Sequence, residues 1–263
     1  YARAGSELWR TDGTERGTIR VDDLRAGLAG SNPAYLTPFN GALYYSANTY
    51  MYGSELWRTG TGEESDARIV VDIRRGSRSS SPRYLTVCNE KIFFAAFDDE
   101  EGDELYASDG ELGWLSAEPD VPGFDSHSRR GFRSSSGSGT YSVRDINIGV
   151  ASSSPKHLVC LGGTGNDQFG YPMNSGGTLY FSADDGVHGV ELWRSDGKHA
   201  TMVKDIHVGP EASYPQYLTA FHGRIYFSAN NGFHGSEFWA SDGTFNGTLM
   251  LKDIKLGSRS SYP

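Results

Sequence analysis

The sequence predicts an all-β protein, a single β-propeller domain of four-stranded antiparallel blades with a split blade at its termini. Three observations carry that expectation. A short phrase returns along the chain: GSELWRTDGT at 5–14, GSELWRTGT at 53–61, GVELWRSDG at 189–197 and GSEFWASDGT at 235–244. Four separate markers recur in one fixed order. The apolar stretches between them do not alternate with polar residues, so both sides of each small sheet need cover.

The markers define the unit. The Glu of the phrase falls at Glu7, Glu55, Glu104, Glu191 and Glu237. A D-[IL]-x-x-G phrase starts at Asp23, Asp72, Asp145, Asp205 and Asp253, and an S-x-P phrase ends at Pro33, Pro82, Pro155, Pro215 and Pro263. Apolar runs LYYSA, IFFAA, LYFSA and IYFSA end at Ala47, Ala96, Ala183 and Ala229. A phrase repeated near a fixed spacing is a building unit, and a period in the forties suits a four-stranded blade.

Each unit reads as four strands. P-x-Y-L-T-x-F is the first, and Asn40-Gly41 or His222-Gly223 makes a tight turn into the second, the apolar run. A polar loop leads to ELW, the third. An Asp-Gly turn, as at Asp12-Gly13, Asp196-Gly197 and Asp242-Gly243, leads to the fourth. Short links make neighbouring strands antiparallel. Leu179, Tyr180 and Phe181 are consecutive in strand two, and Leu192 and Trp193 are adjacent in strand three, so each strand puts apolar groups on both faces. Sheets stacked around an axis bury both. The blade parts are 1–32, 33–81, 82–154, 155–214 and 215–263. The first holds strands three and four only, and the expectation is that a ring closes by pairing them with strands from the other end of the full chain, the total blade number being open.

The phrase ELWRTDGT at 7–14 resembles the repeat of ELWxxDGT proteins, a family of β-propeller-type repeat proteins found in secreted or surface settings. Glu104-Leu105-Tyr106 and Glu237-Phe238-Trp239 are drifted copies. The resemblance implies a fold and a secreted, cell-surface or lumenal location. It brings no catalytic residues.

Composition excludes some classes. With 24 Lys+Arg against 33 Asp+Glu and a net charge of −9, the chain lacks the basic footprint of a nucleic-acid binder. No run approaches the length of a transmembrane helix. Cys88 and Cys160 are too few for a disulfide scaffold. Aligned to the repeat they fall one residue out of phase, which points their side chains to opposite faces. Two buried free thiols are the reading, with a bridge as the alternative.

The recurring acids read as structural: Asp12, Asp109, Asp196 and Asp242 as turn residues bonding backbone N–H groups two residues on, and the five Glu as acceptors of backbone bonds across blades. The loops around Asp184, Asp185 and His188, and around Asn230, Asn231 and His234, are matched copies rich in oxygen, and they are the candidate Ca²⁺ ligands. Asn246-Gly247-Thr248 is a glycosylation sequon, although Gly17-Thr18 holds the same repeat position.

Individuality lies where the repeat breaks. One insert, 111–141, separates strands three and four of its blade. A second, 161–175, separates strands one and two of the next. Both should leave the same end of the blades and form one patch with Trp114, Phe124, Arg129, Arg130, Phe132, Arg133, Phe169 and Tyr171, residue types that favour protein partners. The functional expectation is a non-enzymatic scaffold, an accessory or structural subunit that binds other proteins. A Ca²⁺- or carbohydrate-binding module is the alternative, and a hydrolase with an axial site a weaker one.

Overall fold

Both-sided burial decides the architecture. The computed structural model describes residues 5–60, 67–112, 139–162, 165–166, 172–173 and 176–263. Among them there is no helix, hence none long and apolar enough to cross a membrane.

Sheet I has two strands, β1 (Trp9–Arg10) and β2 (Ile19–Arg20). Sheet II runs β3 (Ala34–Phe39), β4 (Ala42–Thr49), β5 (Gly53–Gly60) and β6 (Ala67–Val71). Sheet III runs β7 (Arg83–Cys88), β8 (Lys91–Asp98), β9 (Gly102–Ser108) and β10 (Thr140–Arg144). Sheet IV contains β11 (Lys156–Leu161), β14 (Thr178–Asp184), β15 (Val190–Ser195) and β16 (Ala200–Lys204), with a two-stranded ladder of β12 (Gly165–Asn166) and β13 (Pro172–Met173) inside its second insert. Sheet V runs β17 (Gln216–Phe221), β18 (Arg224–Asn230), β19 (Ser236–Ser241) and β20 (Leu249–Lys252). Strands in each four-stranded sheet pair antiparallel in chain order.

The turn chemistry explains the hairpins. Asn40 and Gly41 both take positive φ (45° and 72°), as do His222 and Gly223 (45° and 73°), the pair of left-handed residues that a two-residue hairpin between twisted strands requires. At the third-to-fourth strand turns, Asp12 accepts from the Thr14 N–H (2.9 Å), Asp109 from Glu111 (3.0 Å), Asp196 from Lys198 (2.7 Å) and Asp242 from Thr244 (2.9 Å).

The first strands hold a feature that the pattern P-x-Y-L-T hides. Tyr35, Tyr84, His157 and Tyr217 all stand at φ of 56–61°, and each strand shifts register there. A bulky residue in this region is strained. The threonine two places on holds the bulge: Thr37, Thr86 and Thr219 each donate to the carbonyl of that tyrosine at 2.9–3.1 Å. The kink leaves the following leucines, Leu85, Leu158 and Leu218, packed against the inter-sheet cores.

Sheets II to V stack with their first strands side by side in chain order. Each gap between sheets is its own core. Tyr44 and Leu56 of sheet II meet Ile92, Phe94 and Tyr106 of sheet III. Phe93, Leu105 and Val143 of sheet III meet Phe181 and Trp193 of sheet IV. Tyr180, Leu192 and Val203 of sheet IV meet Phe227 and Trp239 of sheet V. Leu8 of sheet I lies on Tyr45 and Trp57 of sheet II. One face of every sheet, here its front, therefore covers the back of the next, and adjacent residues of strand two serve different cores.

The repeated glutamate locks each step. Glu55, Glu104, Glu191 and Glu237 accept from the backbone N–H of the serine in the following S-x-P phrase, Ser80, Ser153, Ser213 and Ser261, at 2.8–3.0 Å. They also accept from the N–H of the isoleucine in D-I-x-x-G, Ile73, Ile146, Ile206 and Ile254, at 2.9–3.2 Å. The carbonyls of Ser31, Ser80, Ser153 and Ser213 in turn accept from strand two of the next sheet, at Asn48, Phe97, Asp184 and Asn230 (2.8–2.9 Å). One carboxylate thus ties a sheet to the crossover that delivers its neighbour.

The cysteines require a correction. Cys88 and Cys160 are not free thiols; they form a disulfide, with Cα atoms 5.4 Å apart. Opposite faces on neighbouring sheets were expected to keep them apart. In a front-to-back stack, opposite faces are what bring them together: Cys88 on the front of sheet III looks toward sheet IV, and Cys160 looks back from it.

Candidate interaction surface

In an antiparallel four-stranded sheet, the loop between strands two and three and the crossover to the next sheet leave from the same end. The D-I-x-x-G phrase is that crossover. Its Asp folds back on the Gly N–H four residues later: Asp72 on Gly76 (3.0 Å), Asp145 on Gly149 (2.9 Å), Asp205 on Gly209 (3.1 Å) and Asp253 on Gly257 (3.2 Å). The glycines take φ of 77–113°, which a residue with a Cβ adopts at a cost. A turn closed this way buries its isoleucine, as at Ile146 and Ile206, and projects the residue before the glycine.

That projecting residue is aliphatic in three successive copies. Ile148, Val208 and Leu256 are 85%, 84% and 83% exposed. The loops between strands two and three add Val187 and Phe233, also exposed. Loop and crossover are neighbours across each step, since Gly186 lies against the Asn147 side chain and Gly232 against that of His207. At the sheet I–II step, Leu28, Tyr50 and Met51 are exposed, with the Arg25 guanidinium 4.6 Å from the Tyr50 ring centroid. The II–III step departs from the rule: Arg75 replaces the aliphatic residue, and Asp99 pairs with Arg74 (2.7 Å) and Arg78 (2.5 Å). The Arg74 hydrogen bond, with the charges of Arg74 and Arg78, holds the Asp99 carboxyl below its ordinary range. The rim is thus a row of apolar tips on stapled turns with one charged station.

The loops proposed to hold Ca²⁺ use their oxygens internally. Asp184 accepts from Gly186 N–H, and Asp185 from Val187 and His188 N–H, with the His188 ring 2.8 Å away. Asn230 accepts from Gly232 N–H, and Asn231 from Phe233 and His234 N–H. The His188 imidazole is raised from its ordinary range by the Asp185 bond. Among the described residues no group of three or more His, Cys, Asp or Glu stands together as a metal site.

Asn246 is exposed, while the sequon's Thr248 is buried, donating to the Thr244 carbonyl at 2.7 Å. Thr18 makes the same bond to Thr14 at 2.6 Å, so the Gly-Thr pair closes the turn in both copies. The insert residues Trp114, Phe124, Arg129, Arg130, Phe132, Arg133, Phe169 and Tyr171 lie outside the described residues.

The carboxylates of the inter-sheet locks are the most perturbed acids. Burial pushes Glu55 up to about 8 and Glu104 to about 7, against the opposing pull of the serine and isoleucine bonds. Burial likewise raises Glu191. Glu237, on the last sheet, is lowered: burial raises it, but the Ile254 and Ser261 bonds outweigh that. These groups face backbone donors in closed cores and are placed to hold sheets together.

Sequence reasoning treated D-I-x-x-G as structure alone and overlooked the rim. Its signal was present: a turn position beside glycine that carries Ile, Val and Leu where a solvated turn carries polar residues.

No protein-family model matches the chain. No curated protein matches it either. Among solved structures it is similar to a GH74 xyloglucanase from Xanthomonas campestris, at 14% identity and a TM-score of 0.44, over 92% of this chain and 34% of that one. The chain therefore spans about a third of that protein's length.

Proposed function

We propose that this chain is a non-enzymatic β-propeller scaffold of the ELWxxDGT-repeat type that binds another protein through its crossover rim. The observation that carries this reading is the exposure of Ile148, Val208 and Leu256 on turns held rigid by Asp–Gly bonds. Scattered apolar side chains are ordinary on a surface, but the same aliphatic position repeated along one rim is a patch. Burying each such side chain stabilises a complex by about 1.5–3 kcal/mol, and stapled turns lose little entropy on docking. The recurring glutamates support a scaffold rather than an enzyme, because their carboxylates accept from serine and isoleucine donors between the sheets. A Cys88–Cys160 bridge fits an oxidising compartment, in keeping with a secreted or lumenal scaffold.

The test is affinity capture from the native extract with three baits in parallel. They are the natural chain, the triple variant Ile148→Ser/Val208→Ser/Leu256→Ser, and a chain lacking residues 112–139. Rim binding predicts that the triple variant loses the partner and the deletion keeps it. Equal recovery by the triple variant refutes the rim, and loss confined to the deletion assigns binding to the insert patch instead.

A further inference from the structure

The third-to-fourth strand turn of sheet V repeats that of sheet I bond for bond. Asp242 accepts from the Thr244 N–H (2.9 Å) and hydroxyl (2.7 Å), the Gly247 N–H donates to the Thr244 hydroxyl (2.9 Å), and Thr248 donates to the Thr244 carbonyl (2.7 Å). Asp12, Thr14, Gly17 and Thr18 make the same four bonds at 2.9, 2.7, 2.9 and 2.6 Å. These bonds pass on either side of Asn246, and none uses its side chain. The first copy places Arg16 there. The turn thus fixes its Gly-Thr pair and leaves the residue before the pair free to vary. At that position stands the Asn of the one N-x-[ST] sequence in the chain.

The position points outward whichever neighbours its sheet has. Asn246 is exposed with sheet IV packed behind it, and Arg16 is exposed with sheet II packed in front of it. Sheet IV has a sheet on each side, and Lys198 and His199 of its corresponding turn are exposed as well. The residue before Asn246 is Phe245, 62% exposed, where the first copy carries the charged Glu15. A sugar beside Phe245 supplies the solubility that charge supplies in the first copy.

We infer that Asn246 carries an N-linked oligosaccharide. The donor is an oligosaccharide joined to a lipid through a diphosphate. Asn246 Nδ2 bonds the anomeric carbon of the first sugar as the bond from that carbon to the diphosphate oxygen breaks. Nδ2 gives up one proton, and the lipid diphosphate leaves with the electron pair. Transfer to the nascent chain precedes folding, so the Thr248 hydroxyl, buried in the finished turn, is open when the sequon is read. The Cys88–Cys160 bridge is a separate mark of the same oxidising route. The sugar needs that compartment but not the rim, which lies at the other end of the sheet.

Peptide mass spectrometry on the chain recovered from its natural source tests this, with digestion free of reductant and release by peptide N-glycanase in heavy-oxygen water. The peptide holding Asn246 is expected only after that release, with a labelled aspartate in place of the asparagine. The label separates release from spontaneous deamidation of Asn-Gly. A bare Asn246 in protein whose Cys88–Cys160 bridge is intact overturns the inference and leaves the oxidising compartment standing. A bare Asn246 beside free thiols overturns both. In a secretory host, Asn246→Gln is expected to lose the sugar and keep the natural far-ultraviolet circular dichroism, and Thr248→Ser to keep both. Sugar that persists on Asn246→Gln overturns the assignment to this residue.

Discussion

Replacing Glu55 by alanine is expected to open the step between sheets II and III. The carboxylate is fully buried and accepts from Ser80 N–H (2.8 Å), the Ser80 hydroxyl (2.5 Å) and Ile73 N–H (3.2 Å). Alanine leaves these donors without a partner, and Ser80 is itself fully buried, so water does not replace the acceptor. An orphaned buried donor costs about 1–3 kcal/mol, which puts the total for three at roughly 3–9 kcal/mol. Glu237 is the internal control. It makes the same bonds to Ile254 and Ser261, but Ser261 is half-buried and Ile254 exposed, so water can reach the freed donors. Glu237→Ala is expected to cost only about 1 kcal/mol. Urea unfolding of both variants at one pH, followed by tryptophan fluorescence and by far-ultraviolet circular dichroism, measures the difference. Repeat arrays can unfold stepwise, so the two probes also show whether the Glu55 variant splits the transition. Equal losses for the two variants, or a Glu55→Ala loss under about 1 kcal/mol, would refute the reasoning that burial of the donors sets the strength of the lock.

Stability should fall as pH rises from about 5 to 8. Glu55 and Glu104 hold protons to about 8 and 7 when folded against an ordinary 4.5, so the folded state binds more protons across that window and loses stability through it. Melting temperatures are expected to decline across the window, and Glu55→Gln should flatten the decline; a profile that rises instead refutes the direction. Reducing the Cys88–Cys160 bridge frees a loop spanning 72 residues and is expected to cost about 4 kcal/mol by chain entropy. Cys88→Ser/Cys160→Ser should match the reduced protein in a melting scan, and a natural chain indifferent to reductant would count against the bridge.

Much of this fold was legible because each of its four markers answers a separate physical need. Asn40-Gly41 and His222-Gly223 announce hairpins through backbone geometry alone, and the Asp of each Asp-Gly turn bonds its own loop, so neither depends on the rest of the molecule. The roles of Glu55 and its copies were legible in kind, since a repeated buried acid needs donors. Which donors was not: the serine lies 22 to 25 residues further on in four copies and 49 in the copy with the long insert, and only the crossover brings it back. The tyrosine bulges were hidden because positive φ at Tyr84 or Tyr217 leaves no trace in an ordinary strand sequence; the threonine two residues on was the available clue. The rim was hidden for a different reason. Ile148, Val208 and Leu256 belong to a phrase that served only as a repeat marker, and the Asp–Gly staple is what turns them outward.

A directional module accounts for features that otherwise look unrelated. If sheets met front to front, Tyr180 and Phe181 could not both be buried by neighbours of the same kind, and the two cysteines on unlike faces could not meet. Front-to-back stacking resolves both, because each sheet shows one neighbour its front and the other its back. The same asymmetry makes the glutamate's behaviour positional. Glu55, Glu104 and Glu191 have a further sheet in front of them and are pushed upward by burial, whereas Glu237 has the same donors with no sheet in front and is lowered. Identical sequence thus acquires different chemistry from its place in the stack.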